Sequence, residues 1–415
     1  MPAAGSVLAL AQTIDIALCN NPRTRQSWIA AKVSATQAEL AKTPYRPEIA
    51  GSAGLERRET RNVSNPGGTT QLSAALALSY LLLDFGGREA ALQQAQEALT
   101  AANWTHSATV QTVMLDAITG YYQLAGNAEA LEAARAAEKS SLQSLEAARA
   151  RLKAGTATRA DVLQAQTANS QDRLNRVLSE GNLANAQGVL ASALGVPVDL
   201  DLKVVASRDF GSAEVAEQKV PSLLAMARQQ RPDLAAAQAQ VRAARQNVRI
   251  QDSANRPELS LSGTLGATQS APGSDPRTGA VGVTLSVPIY TGQRRAYQKL
   301  LAEQQLEAQI AAADRLEQDA ALEVWRSYQD LRTQRQSVMS AADLASSAQE
   351  SYNVALGRYK SGVGTVTDLL NAQATLANAN LQDIQARYKW NLAKSSLARA
   401  LGILDRSMFD SAKTQ

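Results

Sequence analysis

Two aspartates occupy matching places in the chain, and their type and spacing suit an ionic role. Asp161 and Asp368 each lie six residues after a glycine, Gly155 and Gly362 respectively. A carboxylate that follows a turn and opens a helix is also favoured by capping and by the helix dipole. The pattern therefore leaves two interpretations open. The aspartates are either structural caps or charges that control what passes them.

The composition offers little for catalysis or metal binding. A single cysteine, Cys19, excludes an intramolecular disulfide and a cysteine-based zinc site, and a single histidine, His106, excludes a histidine cluster. We find no P-loop, no dinucleotide-binding glycine motif in a βαβ context and no serine–histidine–aspartate set. A net charge of +4 over 415 residues is too small to predict nucleic-acid binding. We predict no catalysis and no cofactor.

The two aspartates belong to a unit that occurs twice in the sequence. Segment 151–155 (RLKAG) matches 358–362 (RYKSG), and the halves close with the matching segments 193–196 (ALGV) and 400–403 (ALGI). The offset between matching positions stays between 205 and 210 residues. A shared order of landmarks at one offset indicates a duplicated, pseudo-symmetric architecture.

Each copy is predicted to contain a helix, a strand pair, a very long helix, a tight turn and a returning helix. The long helices lack proline and would reach about 100 Å at about 1.5 Å per residue. The first predicted repeat, 1–196, contains a strand pair 48–82, a long helix 88–152 and a return helix 158–194. A linker or equatorial segment follows at 197–220. The second repeat, 221–403, contains a strand pair 257–290, a long helix 293–359 and a return helix 365–401, and a C-terminal tail 404–415 ends the chain.

The predicted strands alternate between apolar and small polar residues. Leucines in 70–82 and 259–268, and valines in 279–289, fall on one face, while serine, threonine, alanine and glycine fall on the other. Polar segments 58–69 and 269–278 are predicted as the loops. An ordinary water-facing sheet would carry lysine, glutamate and arginine on its polar face. The pattern favours membrane strands with lipid on one side and a lumen on the other.

Four strands cannot close a barrel, because about eight is the smallest number known. An open edge in lipid would leave backbone groups unsatisfied, so we expect several chains to share one barrel. A dimer would supply eight strands and a trimer twelve. Aromatic residues near the strand ends are predicted to be interfacial anchors: Tyr45, Tyr80, Phe85 and Tyr290.

The returning helices repeat apolar or small residues every three or four positions, which is typical of a coiled-coil seam. In the first copy this seam includes Leu163, Leu174, Val177, Gly181 and Gly188. No basic segment followed by an apolar core opens the chain, so we expect either a soluble cytoplasmic protein or a mature form with a new start.

The duplicated unit, the strand pairs, the proline-free helices and the paired G-x5-D-x-L-x-A-Q turns resemble the TolC-like outer-membrane channel family. Segment 17–22 (ALCNNP) looks like the end of the family's N-terminal stretch, and segment 17–25 (ALCNNPRTR) looks most like the branch that serves type I protein secretion, such as the cyclolysin exporter. The resemblance implies a mainly α fold with a membrane β-barrel. It implies a homotrimer with a twelve-stranded barrel in the outer membrane of a Gram-negative cell, joined to an α-helical tunnel across the periplasm.

The resemblance also implies partners and a gate. The partners are a periplasmic adaptor protein and an inner-membrane transporter, either an ABC exporter or a proton-driven pump. The turns 151–161 and 358–368 would form the periplasmic entrance. Asp368 matches an acidic constriction ring, and Tyr359 matches the tyrosine of the gate network. Asn371 stands where the family often has a second acid, and Gly364 where it often has an arginine.

In the first copy, Asp161 and Arg159 are expected to support the closed entrance. The turn residues expected to dock the adaptor are Arg151, Lys153, Gly155, Thr156, Arg358, Lys360, Gly362 and Val363. Helix C-caps and dipole compensation are an alternative explanation for these glycines and basic residues. The alternative for the whole chain is a soluble coiled-coil scaffold protein with small capping sheets. Whether the cargo is a protein, a drug or a metal stays open.

Overall fold

The computed structural model describes residues 7–60, 67–205, 219–271 and 276–408. Most of the predicted linker 197–220, the end of the predicted tail and the centres of both predicted strand loops lie outside these residues. By its contacts the chain divides into two compact units. We call them the helical unit (Met1–Ser27, His106–Pro232 and Glu317–Gln415) and the strand unit (Trp28–Thr105 and Asp233–Leu316). Each unit draws on both sequence repeats.

Two helices of 67 residues dominate the described elements. None of the described helices combines the length and the apolarity needed to cross a bilayer. In chain order the elements are β1 (Val7–Leu8), α1 (Leu10–Asn20), α2 (Pro22–Leu40), a 3-10 turn (Thr43–Tyr45), β2 (Glu48–Thr60), β3 (Gly67–Leu83), α3 (Gly87–Lys153), α4 (Arg159–Leu194), β4 (Lys203–Val204), α5 (Val220–Gln230), α6 (Pro232–Ser253), β5 (Glu258–Ala271), β6 (Arg277–Ser286), α7 (Arg294–Lys360) and α8 (Val366–Ala400).

The strand unit contains one antiparallel sheet in the order β2-β3-β5-β6. Strands β2, β3 and β5 run into the segments predicted as loops, whereas β6 ends at Ser286, short of the predicted strand end. Pro288 follows, and a proline has no N–H for a strand ladder. The polar residues of 58–60 and 269–271 thus prolong the strands, because two long paired strands satisfy their backbone groups against each other.

The register places most of the large apolar residues of the four strands on one face, whereas Leu81, which pairs with Ser260, lies on the other. Ile49 lies opposite Leu78, Leu76 opposite Leu265, and Leu261 opposite Val283. The neighbouring positions, such as the pairs of Ser79 with Ser262 and of Ser260 with Thr284, form the opposite face. The apolar face is uncovered in the single chain: Ile49 is 71% exposed and Val281 83%. We call these surfaces the apolar face and the small-polar face.

The helical unit is built around the ends of α4 and α8. Leu190 and Leu194 of α4 pack with Val113 and Leu124 of α3, and Leu397 of α8 packs in a matching cluster from α5, α7 and α8. A short parallel ladder joins β1 to β4. His106 is half-buried, and its Nδ1 lies 2.8 Å from the Ser27 hydroxyl. Cys19 is exposed.

Each return helix ends against the residue that precedes a helix-opening proline of the same repeat, Pro22 for α4 and Pro232 for α8. Gly195 follows α4 with φ +66°, and Gly402 lies just after α8 with φ +78°. The Asn21 amide donates to the Ala193 carbonyl at 2.9 Å, and Arg231 Nη1 donates to the Ala400 carbonyl at 3.1 Å. The closing Ala-Leu-Gly segments therefore make the same kind of contact in both copies, with different polar partners. We call this contact the joint.

Within the part of the chain that the structure describes, no helix covers the predicted seam of α4. Leu163, Leu174 and Val177 are each at least half exposed. A Cβ added at Gly181 or Gly188 would meet nothing within 4 Å. The equivalent face of α8 is more buried, since Ile384 belongs to the core. The seam of α4 is thus free to pack against another chain.

Candidate functional site: the tips of the two helix hairpins

The first tip, residues 151–161, joins α3 to α4 through a tight helix end and a capping box. Gly155 adopts φ +72°, and the Thr156 N–H donates to the Arg151 carbonyl at 2.9 Å. This closes α3, because a left-handed glycine lets the chain fold back onto the last carbonyls. Thr158 then caps α4: its hydroxyl accepts from the Asp161 N–H at 3.2 Å, and Asp161 Oδ2 accepts from the Thr158 N–H at 2.8 Å.

The second tip, residues 358–368, repeats this geometry between α7 and α8. Gly362 adopts φ +80°, and the Val363 N–H donates to the Arg358 carbonyl at 3.0 Å. Thr365 Oγ1 accepts from the Asp368 N–H at 3.1 Å, and Asp368 Oδ2 accepts from the Thr365 N–H at 3.4 Å. Hydrogen bonds from the Thr365 side chain and backbone N–H to the carboxylate, helped by the nearby charge of Arg358, lower the pKa of the Asp368 carboxyl below its ordinary value.

Capping is thus an observed role of both aspartates. It leaves Asp368 charged, because the hydrogen bonds that lower its pKa favour the carboxylate, which can accept further contacts. Asp368 is exposed. The signal was present in the sequence, since Thr158 and Thr365 each stand three residues before an aspartate, which is the capping-box spacing. Neither threonine is among the predicted site residues.

One side chain of the first tip is bonded to the second tip. Arg151 Nη2 donates to the Tyr359 carbonyl at 2.6 Å and lies 3.5 Å from the Lys360 carbonyl. The Arg151 guanidinium carbon also lies 4.0 Å from the centre of the Tyr359 ring. Tyr359 is buried against Val366 and Leu369. Arg151 therefore binds the C-terminal end of α7, where a cation is favoured by the helix dipole.

Two further contacts join the hairpins next to their tips. Thr367 Oγ1 of α8 donates to Gln164 Oε1 of α4 at 2.9 Å. Deeper in the unit, Ser144 Oγ of α3 donates to Gln373 Oε1 of α8 at 3.3 Å, where both side chains are buried. Gln373 is the last residue of the D-x-L-x-A-Q segment in the second copy. Its role follows from the hydrogen bond with Ser144, which the sequence does not show.

Asp368 and Asn371 line a common groove of about 380 Å³ with Arg358, Gly364 and Thr375. Gly364 has little free space. An added Cβ would lie 3.0 Å from the Arg358 Cβ and 3.1 Å from the Tyr359 nitrogen. A side chain at this position would need the neighbouring atoms at the end of α7 to shift by a few tenths of an ångström.

The remaining predicted site residues take no part in the contact between Arg151 and Tyr359. Within the described ranges, Arg159 is exposed and makes no ion pair with Asp161. Lys153 and Lys360 are exposed at the ends of their long helices, and Val363 is 72% exposed. These side chains are accessible to a partner.

The chain was compared with known proteins. A model of the outer membrane efflux protein family matches residues 13–196 and 223–403. Protein CyaE of Bordetella pertussis is 30% identical over 409 residues, which cover 97% of this chain and 86% of that protein. Outer membrane efflux protein BepC of Brucella suis is 26% identical over 404 residues, covering 95% and 86%. Among solved structures, the Campylobacter jejuni CmeC outer membrane channel superposes with a TM-score of 0.84 at 19% identity, covering 97% and 88%.

The sheet with its uncovered apolar face, the paired long helices and the capped hairpin tips define an outer-membrane export channel of the TolC-like class. The soluble scaffold is not favoured. The chain belongs to the outer membrane efflux protein family.

Proposed function

We propose that this protein is the passive exit duct of a tripartite export system and works as a homotrimer. Three sheets would close one twelve-stranded barrel, and the long helices would continue it as a tunnel across the periplasm. The observation that carries the proposal is the sheet itself. Strands β2 and β6 have open edges, and an uncovered apolar face is suited to lipid. The exposed seam of α4 supports contact between protomers, because small residues let helices approach closely.

The hairpin tips are the proposed periplasmic entrance. The exposed residues Lys153, Thr156, Lys360 and Val363 would dock a periplasmic adaptor, and an inner-membrane transporter would supply the energy. Asp161 and Asp368 would present carboxylates at the entrance, while Arg151 holds one tip against the other. The duct itself performs no reaction. Both cargo classes, a secreted protein and a small molecule, are compatible with this arrangement.

Replacing Asp368 by asparagine is expected to reduce cation selectivity in planar bilayers. Asparagine keeps a capping oxygen but removes the charge. The ratio of potassium to chloride permeability should fall several-fold towards unity. The pKa of Asp368 is lowered, so its carboxylate stays charged as the pH falls through the ordinary carboxyl range. Wild-type selectivity should therefore persist to a lower pH than an ordinary aspartate would allow, and it should be lost only as the pH falls through the lowered pKa of Asp368.

The matched control is Asp161→Asn, which alters the same capping box in the first tip. A loss of selectivity in both variants would show that the carboxylates of both tips contribute, and a loss in Asp368→Asn alone would assign the ring to Asp368. Unchanged selectivity in Asp368→Asn would remove the proposed acidic ring.

Replacing Arg151 by alanine is expected to loosen the closed entrance and raise single-channel conductance several-fold. The change removes a charge-assisted hydrogen bond and a cation–π contact, which together hold the tips with about 2–3 kcal/mol. Lys153→Ala removes an exposed charge two residues away and should leave the conductance unchanged. Equal conductance of the Arg151→Ala variant and the wild type would show that this contact does not hold the entrance closed.

A further inference from the structure

The apolar face of the sheet carries two adjoining hollows. Their volumes are about 630 and 420 Å³, and Leu76 and Leu265 line both. The register explains them, because small residues lie side by side on this face. The upper hollow is lined by Gly51, Ala53, Ala74 and Ala267, and the lower one by Gly263 and Gly279. Larger apolar side chains such as Ile49 and Val281 line the lower hollow.

The hollows follow one another along the strands, on either side of the facing leucines Leu76 and Leu265, and we call the two together the groove. On β3 they extend from Ala74 to Leu78, which is about 14 Å at about 3.4 Å per residue. The lining is almost entirely hydrocarbon. A narrow apolar groove of this length fits an extended acyl chain, whose methylene groups gain burial against the glycines and alanines.

One charged residue lines the upper hollow. Arg277 opens β6 opposite Ala267, which places it on the apolar face. It is exposed, and within the described residues it makes no ion pair with an acid. Tyr80, Phe85 and Tyr290 lie instead at the other end of the strands, next to the long helices. The apolar face thus has aromatic rings at one end and Arg277 near the other, with Leu55 and Leu72 one row further out.

We propose that Arg277 and the two hollows form a binding site for a phosphorylated membrane lipid. The acyl chain lies in the groove, and the lipid phosphate accepts hydrogen bonds from the guanidinium group. The planar fork of arginine matches a phosphate, and its long stem can lie on apolar surface with the charge at the interface. This inference rests on the proposed placement of the sheet in the outer membrane, with the hairpin ends of the strands in the outer leaflet.

The neighbouring arginines of β2 are poorer candidates. Arg57 lies 3.7 Å from Glu59, and Arg58 lies 3.1 Å from Glu56. Arg58 also belongs to the small-polar face, because it pairs with Thr69 while Ser52 pairs with Ala75. Arg58 therefore serves as a matched control at the same end of the sheet.

The test measures lipid binding to the purified full-length protein in neutral detergent. The probes are lipid A carrying its phosphates, the same lipid after dephosphorylation, and inorganic phosphate alone. Native mass spectrometry should show retained lipid A on the wild type. Both Arg277→Gln and Ala74→Leu, which fills the groove, should weaken binding about tenfold. Arg58→Gln and Ser73→Leu, which alter the opposite face outside both hollows, should bind as the wild type does.

Several outcomes would overturn the inference. They are equal binding by Arg277→Gln, equal binding of the dephosphorylated lipid, or competition by inorganic phosphate at the lipid's own concentration. Planar-bilayer recordings of the same preparations separate this inference from the proposed function. Normal conductance without phosphate-dependent binding contradicts the lipid site alone. Absence of both conductance and lipid binding contradicts the channel itself.

Discussion

Replacing Gly402 by alanine is expected to lower the free energy of unfolding by about 2–4 kcal/mol. Gly402 adopts φ +78°, which costs an alanine about 1 kcal/mol. An added Cβ would also lie 2.7 Å from the Arg231 Cα and from the carbonyl group of Gln230. Because these are backbone atoms at a helix corner, they cannot move aside cheaply, and overpacking adds about 1–3 kcal/mol. Chemical denaturation followed by circular dichroism measures the loss.

Gly155 provides the control, since it has nearly the same φ, +72°, but open space around its Cβ position. Gly155→Ala should cost only about 1 kcal/mol. Gly195→Ala should behave like Gly402→Ala, because its Cβ would lie 2.7 Å from the Asn20 carbonyl oxygen. Equal losses at Gly155 and Gly402 would show that the close contact at the joint has no energetic effect.

Replacing Glu323 by alanine is expected to lower the free energy of unfolding by a comparable amount, about 2–4 kcal/mol. Glu323 accepts from Arg231 Nη1 at 2.7 Å and also from Arg399. The Arg231 side chain is only 5% exposed, so the variant takes an ionic partner away from a buried charge. Breaking a buried ion pair costs about 3–5 kcal/mol, and the partial exposure of Glu323 moves the expected value towards the lower end. Chemical denaturation of the wild type and the variant in one detergent measures this loss of unfolding free energy.

The matched control lies on the same helix. Glu317 accepts from Arg228 Nε at 2.7 Å, but both side chains are well exposed. Glu317→Ala should therefore change the stability by less than about 1 kcal/mol. If the two variants lose stability equally, burial of Arg231 is not the source of the effect.

The two copies build the same joint with different chemistry. Asn21 is neutral and uses one amide to reach the Ala193 carbonyl. Arg231 reaches the Ala400 carbonyl from the matching position but requires Glu323 to balance its charge. The joint therefore needs a donor to the end of the return helix, and a charge is not essential to it.

The sequence by itself determined the repeat landmarks, the proline-free helices, the alternating faces of the strands and the positions of both turns. These features follow from short-range periodicity and from residues with special backbone freedom, so they can be read within one element. The alternation of leucine with serine in β3 and β5 placed the apolar residues on one face before any pairing was known.

The tertiary structure decided which distant residues meet. Arg151 and the carbonyl of Tyr359 are 208 positions apart, and no local pattern joins them. The tightness around Gly364 and the hollow beside Arg277 likewise depend on how neighbouring elements pack. The sequence also predicted loops where β2, β3 and β5 continue, because it could not show that their backbone groups find partners across the sheet. Such contacts arise from packing between elements, whereas propensity and periodicity act within them.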